Sequence, residues 1–243
     1  MSNKILFVFE GSETEKQVVD SLQQFFVNEK TKTIITCAYC GEIYQIYNEI
    51  LADEDLDTFH LMKGRIQNID SLKGYNRGDF AEIYMFFDYD AHSPLANDTK
   101  LEELLDFFNE ETDKGKLYIS YPMVEALKHI SDYDTFRDLK VECKINIDYK
   151  NLVSESCIAY LQDFTRYDRE TWVDLLKVHL EKMNYIVNDS CEFPQNIIPQ
   201  PDIFMKQLEK YINIDSTVGV LSAFPLFVHD YYGNKKTKKI VRA

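Results

Sequence analysis

Lys4-Ile5-Leu6-Phe7-Val8-Phe9 is an apolar run behind a single lysine, and it stops abruptly at Glu10-Gly11-Ser12. A run with no polar alternation reads as a strand buried on both faces, the kind found in parallel sheets. Downstream, Ser12 or Thr14 can cap a helix whose positive N-terminal end suits Glu13 and Glu15. Val18, Val19, Leu22, Phe25 and Phe26 then recur at helical spacing. A second strand fits Thr33 to Cys37, and a second helix fits Ile43, Ile46, Tyr47, Ile50 and Leu51. Residues 53–79 carry no persistent period and read as loop with a short helix. Ile83-Tyr84-Met85-Phe86-Phe87 repeats the opening pattern and also ends in acids, Asp88-Tyr89-Asp90. A helix from Leu101, Leu104, Leu105 and Phe108 and a short strand at Leu117 to Ser120 complete an alternation of strand and helix. That alternation predicts a doubly wound α/β fold with a mostly parallel sheet flanked by helices.

Beyond Pro122 the pattern becomes mainly helical, with expected helices at Val124–Ile130, Ser156–Phe164, Glu170–Met183 and Asp202–Ile212. Trp172, Leu175, Leu176, Val178, His179 and Met183 are spaced for one buried face. The division expected is an α/β domain over residues 1–122 and a mainly helical region over 123–243 packed on it.

With 45% hydrophobic and 28% charged residues, the chain has the composition of a folded protein rather than a disordered one. No apolar run reaches the length of a membrane span, and Met1 to Phe9 is too short for a signal-peptide core. Five scattered cysteines, an odd number, suit a reducing cytoplasm better than a disulfide framework. The net charge of −14 argues against a freestanding nucleic-acid binder, since phosphate contacts need Lys and Arg. Lys235, Lys236, Lys238, Lys239 and Arg242 form an acid-free tail, so the body is more negative still. The tail reads as a solvated charge run; if it binds, phosphate or an acidic partner is its target.

In parallel α/β sheets, ligands bind beyond the carboxyl ends of the strands. Both principal strands end there in carboxylates. Alternation along an extended segment turns Asp88 and Asp90 to one side and Tyr89 to the other. Oxygen donors so placed suit Mg²⁺, which keeps several waters and takes further ligands from phosphate. Cys37-x-x-Cys40 has no second Cys or His pair to complete tetrahedral zinc and reads as two small buried hydrophobes. His92 reads as polar surface. Gly11-Ser-Glu-Thr-Glu-Lys16 lacks the Gly-Lys-Ser/Thr ending of an ATP-binding phosphate loop.

Phe7-Val-Phe-Glu-Gly-Ser-Glu-Thr-Glu15 with Met85-Phe-Phe-Asp-Tyr-Asp90 resembles the Toprim domain of topoisomerases, bacterial primases, small ribonucleases and overcoming-lysogenization-defect-type nucleases. Tyr118-Ile-Ser-Tyr-Pro-Met-Val-Glu125 looks like a segment of small Toprim-like proteins of bacterial anti-phage loci, among them the partner of the PARIS-type ATPase. The resemblance spans roughly residues 3–130. It implies Glu10 as general acid/base or metal ligand, and Asp88 and Asp90 as the metal pair. It adds Glu125, and beside it Glu15, as accessory acids, and Lys128, one turn beyond Glu125, is the basic residue expected nearest. The cofactor implied is Mg²⁺ (or Mn²⁺). The function implied is metal-dependent cleavage of nucleic acid, RNA such as tRNA or DNA, by a regulated effector working with a partner ATPase. Self-association stays open, and the alternative is a non-catalytic Toprim-like binding module.

Overall fold

The computed structural model describes residues 4–27, 34–53, 55 and 57–242. The chain is α/β, with a five-stranded, mostly parallel sheet, flanking helices and a helical C-terminal part. It divides into two compact units: Met1–Asp88 with Leu95–Tyr118, and Tyr89–Pro94 with Ile119–Ala243.

In the first unit the strand order is β2 (Ile34–Tyr39), β1 (Lys4–Phe9), β3 (Phe80–Asp88), β5 (Gly115–Ser120) and β4 (Asn109–Glu110). The last two residues of β5 fall in the second unit. β1 runs parallel to both neighbours, pairing Phe9 with Tyr39 on one side and with Phe86 on the other. Ile5 to Phe9 are at most 2% exposed, as an unalternating apolar run requires. Of the helices α1 (Thr14–Phe25), α2 (Ile43–Ala52), α3 (Thr58–Lys63) and α4 (Asp98–Phe107), α1 buries Val18, Val19 and Leu22 and α4 buries Leu101, Leu104 and Leu105. β4 and β5 form the antiparallel end of the sheet.

Two local expectations change here. The N-cap position of α1 is Glu13 and carries no side-chain cap bond, so neither Ser12 nor Thr14 caps it. β2 extends past Cys37 to Tyr39; Thr33 lies outside the described residues, as do Glu54 and Leu56 of the 53–79 segment. That segment holds α3, whose N-cap Asp57 accepts the His60 N–H at 2.8 Å. It also holds Asn68, fully buried, whose carboxamide takes both the N–H (2.7 Å) and the C=O (2.8 Å) of Tyr39 at the outer edge of the sheet. A single side chain there makes the bonds a further strand would make, leaving less of the edge open.

In the second unit, α6 (Arg169–Asn188) is the longest helix, and it follows α5 (Tyr149–Ser156). Its Trp172, Leu175, Leu176, His179 and Met183 are buried as their spacing predicts, against α7 (Gln200–Gln207) and α9 (Ala223–Tyr232), whereas Val178, expected on the same face, is only half-buried. α7 continues through a π turn, Leu208–Ile212, into the single turn α8 (Asn213–Asp215), and α10 (Asn234–Val241) closes the chain. The expected helix Val124–Ile130 is one 3-10 turn, Val124–Leu127. Almost every residue of that stretch is buried, so its periodicity says little. The expected helix Ser156–Phe164 is instead a pair of 3-10 turns after α5; buried Cys157, Leu161 and Phe164 mimic helical spacing. β6 (Lys140–Glu142) and β7 (Thr217–Gly219) pair antiparallel, each too short to show alternation. Among the described residues no helix is long and apolar enough to cross a membrane.

Candidate active site

Register brings the first two sequence-derived acids together. Phe9 stands opposite Phe86, so Glu10 comes level with Phe87 and one residue short of Asp88, and Glu10 Oε2 accepts the Asp88 N–H at 3.3 Å. On the other flank, Cys40 N donates to Phe9 O at 2.9 Å and Gly41 N to Glu10 O at 3.2 Å, so the turn after β2 also closes on the end of β1. Glu10 is thereby held from both sides.

The turn after Glu10 is fixed from within. Glu15, 8% exposed, folds back so that Oε1 accepts the Gly11 N–H at 3.1 Å. A Cβ on Gly11 would stand 3.2 Å from each Glu15 carboxylate oxygen, tight enough that the Glu15 side chain would have to shift by a few tenths of an ångström. Glu15 thus supports the backbone behind Glu10. Cys40 belongs to the same neighbourhood: burial pushes its thiol up to about 12, with the Glu49 and Glu10 carboxylates adding to the effect against Arg65. Cys37 rises to about 11, again chiefly through burial. Both thiols stay protonated at neutral pH, as small buried hydrophobes do, and neither is a poised redox nucleophile.

No family model, no curated protein and no solved structure matches this chain. The reading of the site therefore rests on geometry and on the motif resemblance.

The second unit holds the other acids. Tyr89 is anchored first: its N–H is shared by Ser120 O and Pro122 O, each at 3.0 Å, and its ring packs on Tyr121 and Phe204 at 5.7 and 6.0 Å between centroids. Tyr89 is 1% exposed, while Asp88 and Asp90 on either side of it are half-exposed, the alternation expected of an extended segment. Asp90 Oδ1 lies 2.6 Å from His92 Nδ1. Asp90 and His92 line a cleft of about 200 Å³ with Met123, Glu142, Asp148 and Lys150.

Glu125 is buried on the 3-10 turn, and Lys150 Nζ stands 3.8 Å from its Oε1. Lys128 goes elsewhere, donating to Gln162 O at 3.1 Å with its ammonium 4.7 Å above the Phe164 ring. The cation beside Glu125 thus comes from the start of α5, a helix whose only buried residues, Tyr149 and Val153, give too thin a stripe to read. Nearby, His129 Nδ1 and Tyr149 OH are 2.9 Å apart, and burial brings the imidazole down to about 4, so it is neutral at pH 7.

Glu10 and Asp88 supply hard oxygen donors of the kind Mg²⁺ takes, and one or two carboxylates suffice for an ion that retains waters. Among the described residues no group of three or more His, Cys, Asp or Glu is gathered to enclose a metal. The contact shown is between the Glu10 carboxylate and the Asp88 backbone N–H; two neighbouring acidic residues of this kind would hold a hydrated ion rather than enclose one in a cage.

Proposed function

We propose that the chain is a Toprim-type nuclease that needs Mg²⁺ (or Mn²⁺) to cleave nucleic acid, acting as a regulated effector with a partner ATPase in anti-phage defence. The observation that carries the reading is Glu10 lying against Asp88 where two adjacent parallel strands end. That edge is where α/β folds bind ligands, and both acids are the ones the resemblance marks. In this reading Asp88 holds the ion, the resemblance assigns Asp90 the same role, and Glu10 either joins them or moves the proton of the attacking or departing oxygen. The ion, when bound, offsets charge developing on the phosphoryl oxygens. The partner ATPase and the choice of RNA, such as tRNA, or DNA come from the resemblance alone.

A second reading, a non-catalytic binding module, is favoured by one observation: Asp90 is engaged by His92. Cleavage of labelled tRNA and DNA with Mg²⁺, Mn²⁺ or chelator, with the partner ATPase present, separates the two. The nuclease reading expects cleavage that disappears with chelator, in Glu10→Gln and in Asp88→Asn, while the thermal midpoint of each variant stays within a few degrees. Cleavage indifferent to metal, or Asp88→Asn with full activity, would overturn it.

A further inference from the structure

The acid-free tail is a docked helix. α10 is tied down at its start: Thr237 is fully buried and its Oγ1 donates to Gly233 O at 3.1 Å, while Asn234 bonds both His229, at 2.9 Å, and the Gln195 carbonyl. Thr237, Ile240 and Val241 share the inward side of the helix. Lys235, Lys236, Lys238, Lys239 and Arg242 fall on one opposite arc of about 160° on a 3.6-residue wheel.

Among the described residues none of these five cations is ion-paired; Lys236 Nζ lies 3.7 Å above the Tyr232 ring. The helix dipole accounts for Lys238, Lys239 and Arg242 near the C-terminal end. It does not account for Lys235 and Lys236, which stand in the first turn, where a cation is unfavourable and where this helix has no acid. A chain of net charge −14 therefore concentrates five like charges on one short helix against both repulsion and dipole. The patch continues into a cleft of about 620 Å³, where Lys238 and Arg242 are joined by Lys177 from α6, with Glu181 and Glu192 on the rim and Phe193 as an apolar wall. Burial raises the Glu181 carboxyl from its ordinary value, against the lowering effect of Lys177.

We infer that the outer face of α10 with this cleft is a docking surface for the phosphate backbone of nucleic acid. The choice of nucleic acid over an acidic protein rests on the nuclease reading, since the chain's acidic body needs one cationic strip to hold a polyanion. The Phe193 ring in the cleft adds an aromatic surface beside the cations.

Fluorescence anisotropy in chelator tests this without cleavage. The probes are a labelled single-stranded RNA of about 20 nucleotides, a DNA duplex of similar length and a polyglutamate peptide. Binding to RNA or DNA is expected at about 50 mM salt and is lost towards 200 mM. Replacing Lys235, Lys238, Lys239 and Arg242 together by Gln should weaken it at least about tenfold and reduce the salt slope by about 3. A control with Lys16, Lys63, Lys73 and Lys206 changed to Gln carries the same net charge and should bind within about twofold of the parent. Circular dichroism checks that both variants are folded. Equal losses in the two variants, no loss in the first, or tighter binding of polyglutamate than of either nucleic acid would overturn the inference. If binding follows the expected pattern but metal-dependent cleavage is absent, the nuclease reading falls and the docking surface stands.

Discussion

The bond from Glu15 to Gly11 decides where the backbone carrying Glu10 sits. Glu15→Ala removes a charge-assisted acceptor and leaves a constrained N–H behind, a loss of about 1–2 kcal/mol. Glu15→Gln keeps an acceptor oxygen and should recover most of that in urea unfolding. Cleavage should follow the same order, Ala well below Gln, with the metal requirement unchanged in both. A Gln variant as impaired as Ala would mean that the charge of Glu15, rather than its bond to Gly11, matters. The sequence marked Glu10 and Asp88 as acids that end strands, and Glu15 as an acid at the start of the next helix and an accessory to the site. Only the first two follow apolar runs whose parallel register brings them side by side. The inward turn of Glu15 depends on the conformation of a four-residue loop, which no periodicity encodes. Lys128 and Lys150 make the same point: one turn of separation from Glu125 placed Lys128 nearby, but the chain is in a 3-10 turn there and the neighbour comes from another helix.

Both units use the same device at a strand. Asn68 satisfies the N–H and C=O of Tyr39, and Gln207 does so for Gly219, accepting its N–H at 2.9 Å and donating to its C=O at 2.8 Å. Each carboxamide is fully buried. Gln207→Leu keeps the volume and leaves both backbone groups of Gly219 unsatisfied, so it should lower unfolding free energy by about 2–4 kcal/mol. A loss under about 0.5 kcal/mol in chemical denaturation would show that the two bonds contribute nothing net. Neither carboxamide was visible as structural in the sequence, because a buried polar residue looks there like a surface one. What was legible are the elements with a strong pattern: β1, β3, α1, α4 and α6, whose runs or stripes are long enough to exclude the alternatives. The three-residue strands β6 and β7 are below that limit.

Across the molecule, His129 and His179 tie stability to pH. Burial, with Lys182 adding to it, brings them from 6.5 to about 4 and about 3 respectively. Between those values and 6.5 the unfolded chain binds protons that the native chain refuses, so stability falls as pH drops through the window. Each ring contributes up to about 1.4 kcal/mol per pH unit. Urea midpoints should decline from pH 7 towards pH 4.5, and imidazole proton shifts of both rings should stay constant down to about pH 5.5, with the His129 ring beginning to titrate below it. Either ring titrating near 6.5 would contradict the burial seen here. The composition pointed to a folded chain but carried no mark of the excursion at Tyr89–Pro94, six residues that leave one compact unit for the other before the chain returns at Leu95.

That excursion sets an order of events during synthesis. By the time residue 118 has been made, four strands of the sheet and most of β5 exist, but Ser120 and Pro122, which accept the Tyr89 N–H, and Tyr121 and Phe204, which pack on its ring, are still to come. At ribosomal speeds of about 5–20 residues per second, the stretch up to Phe204 takes roughly 4–17 seconds. During that interval Tyr89 waits for its Phe204 contact, and the second unit closes on a segment translated long before it.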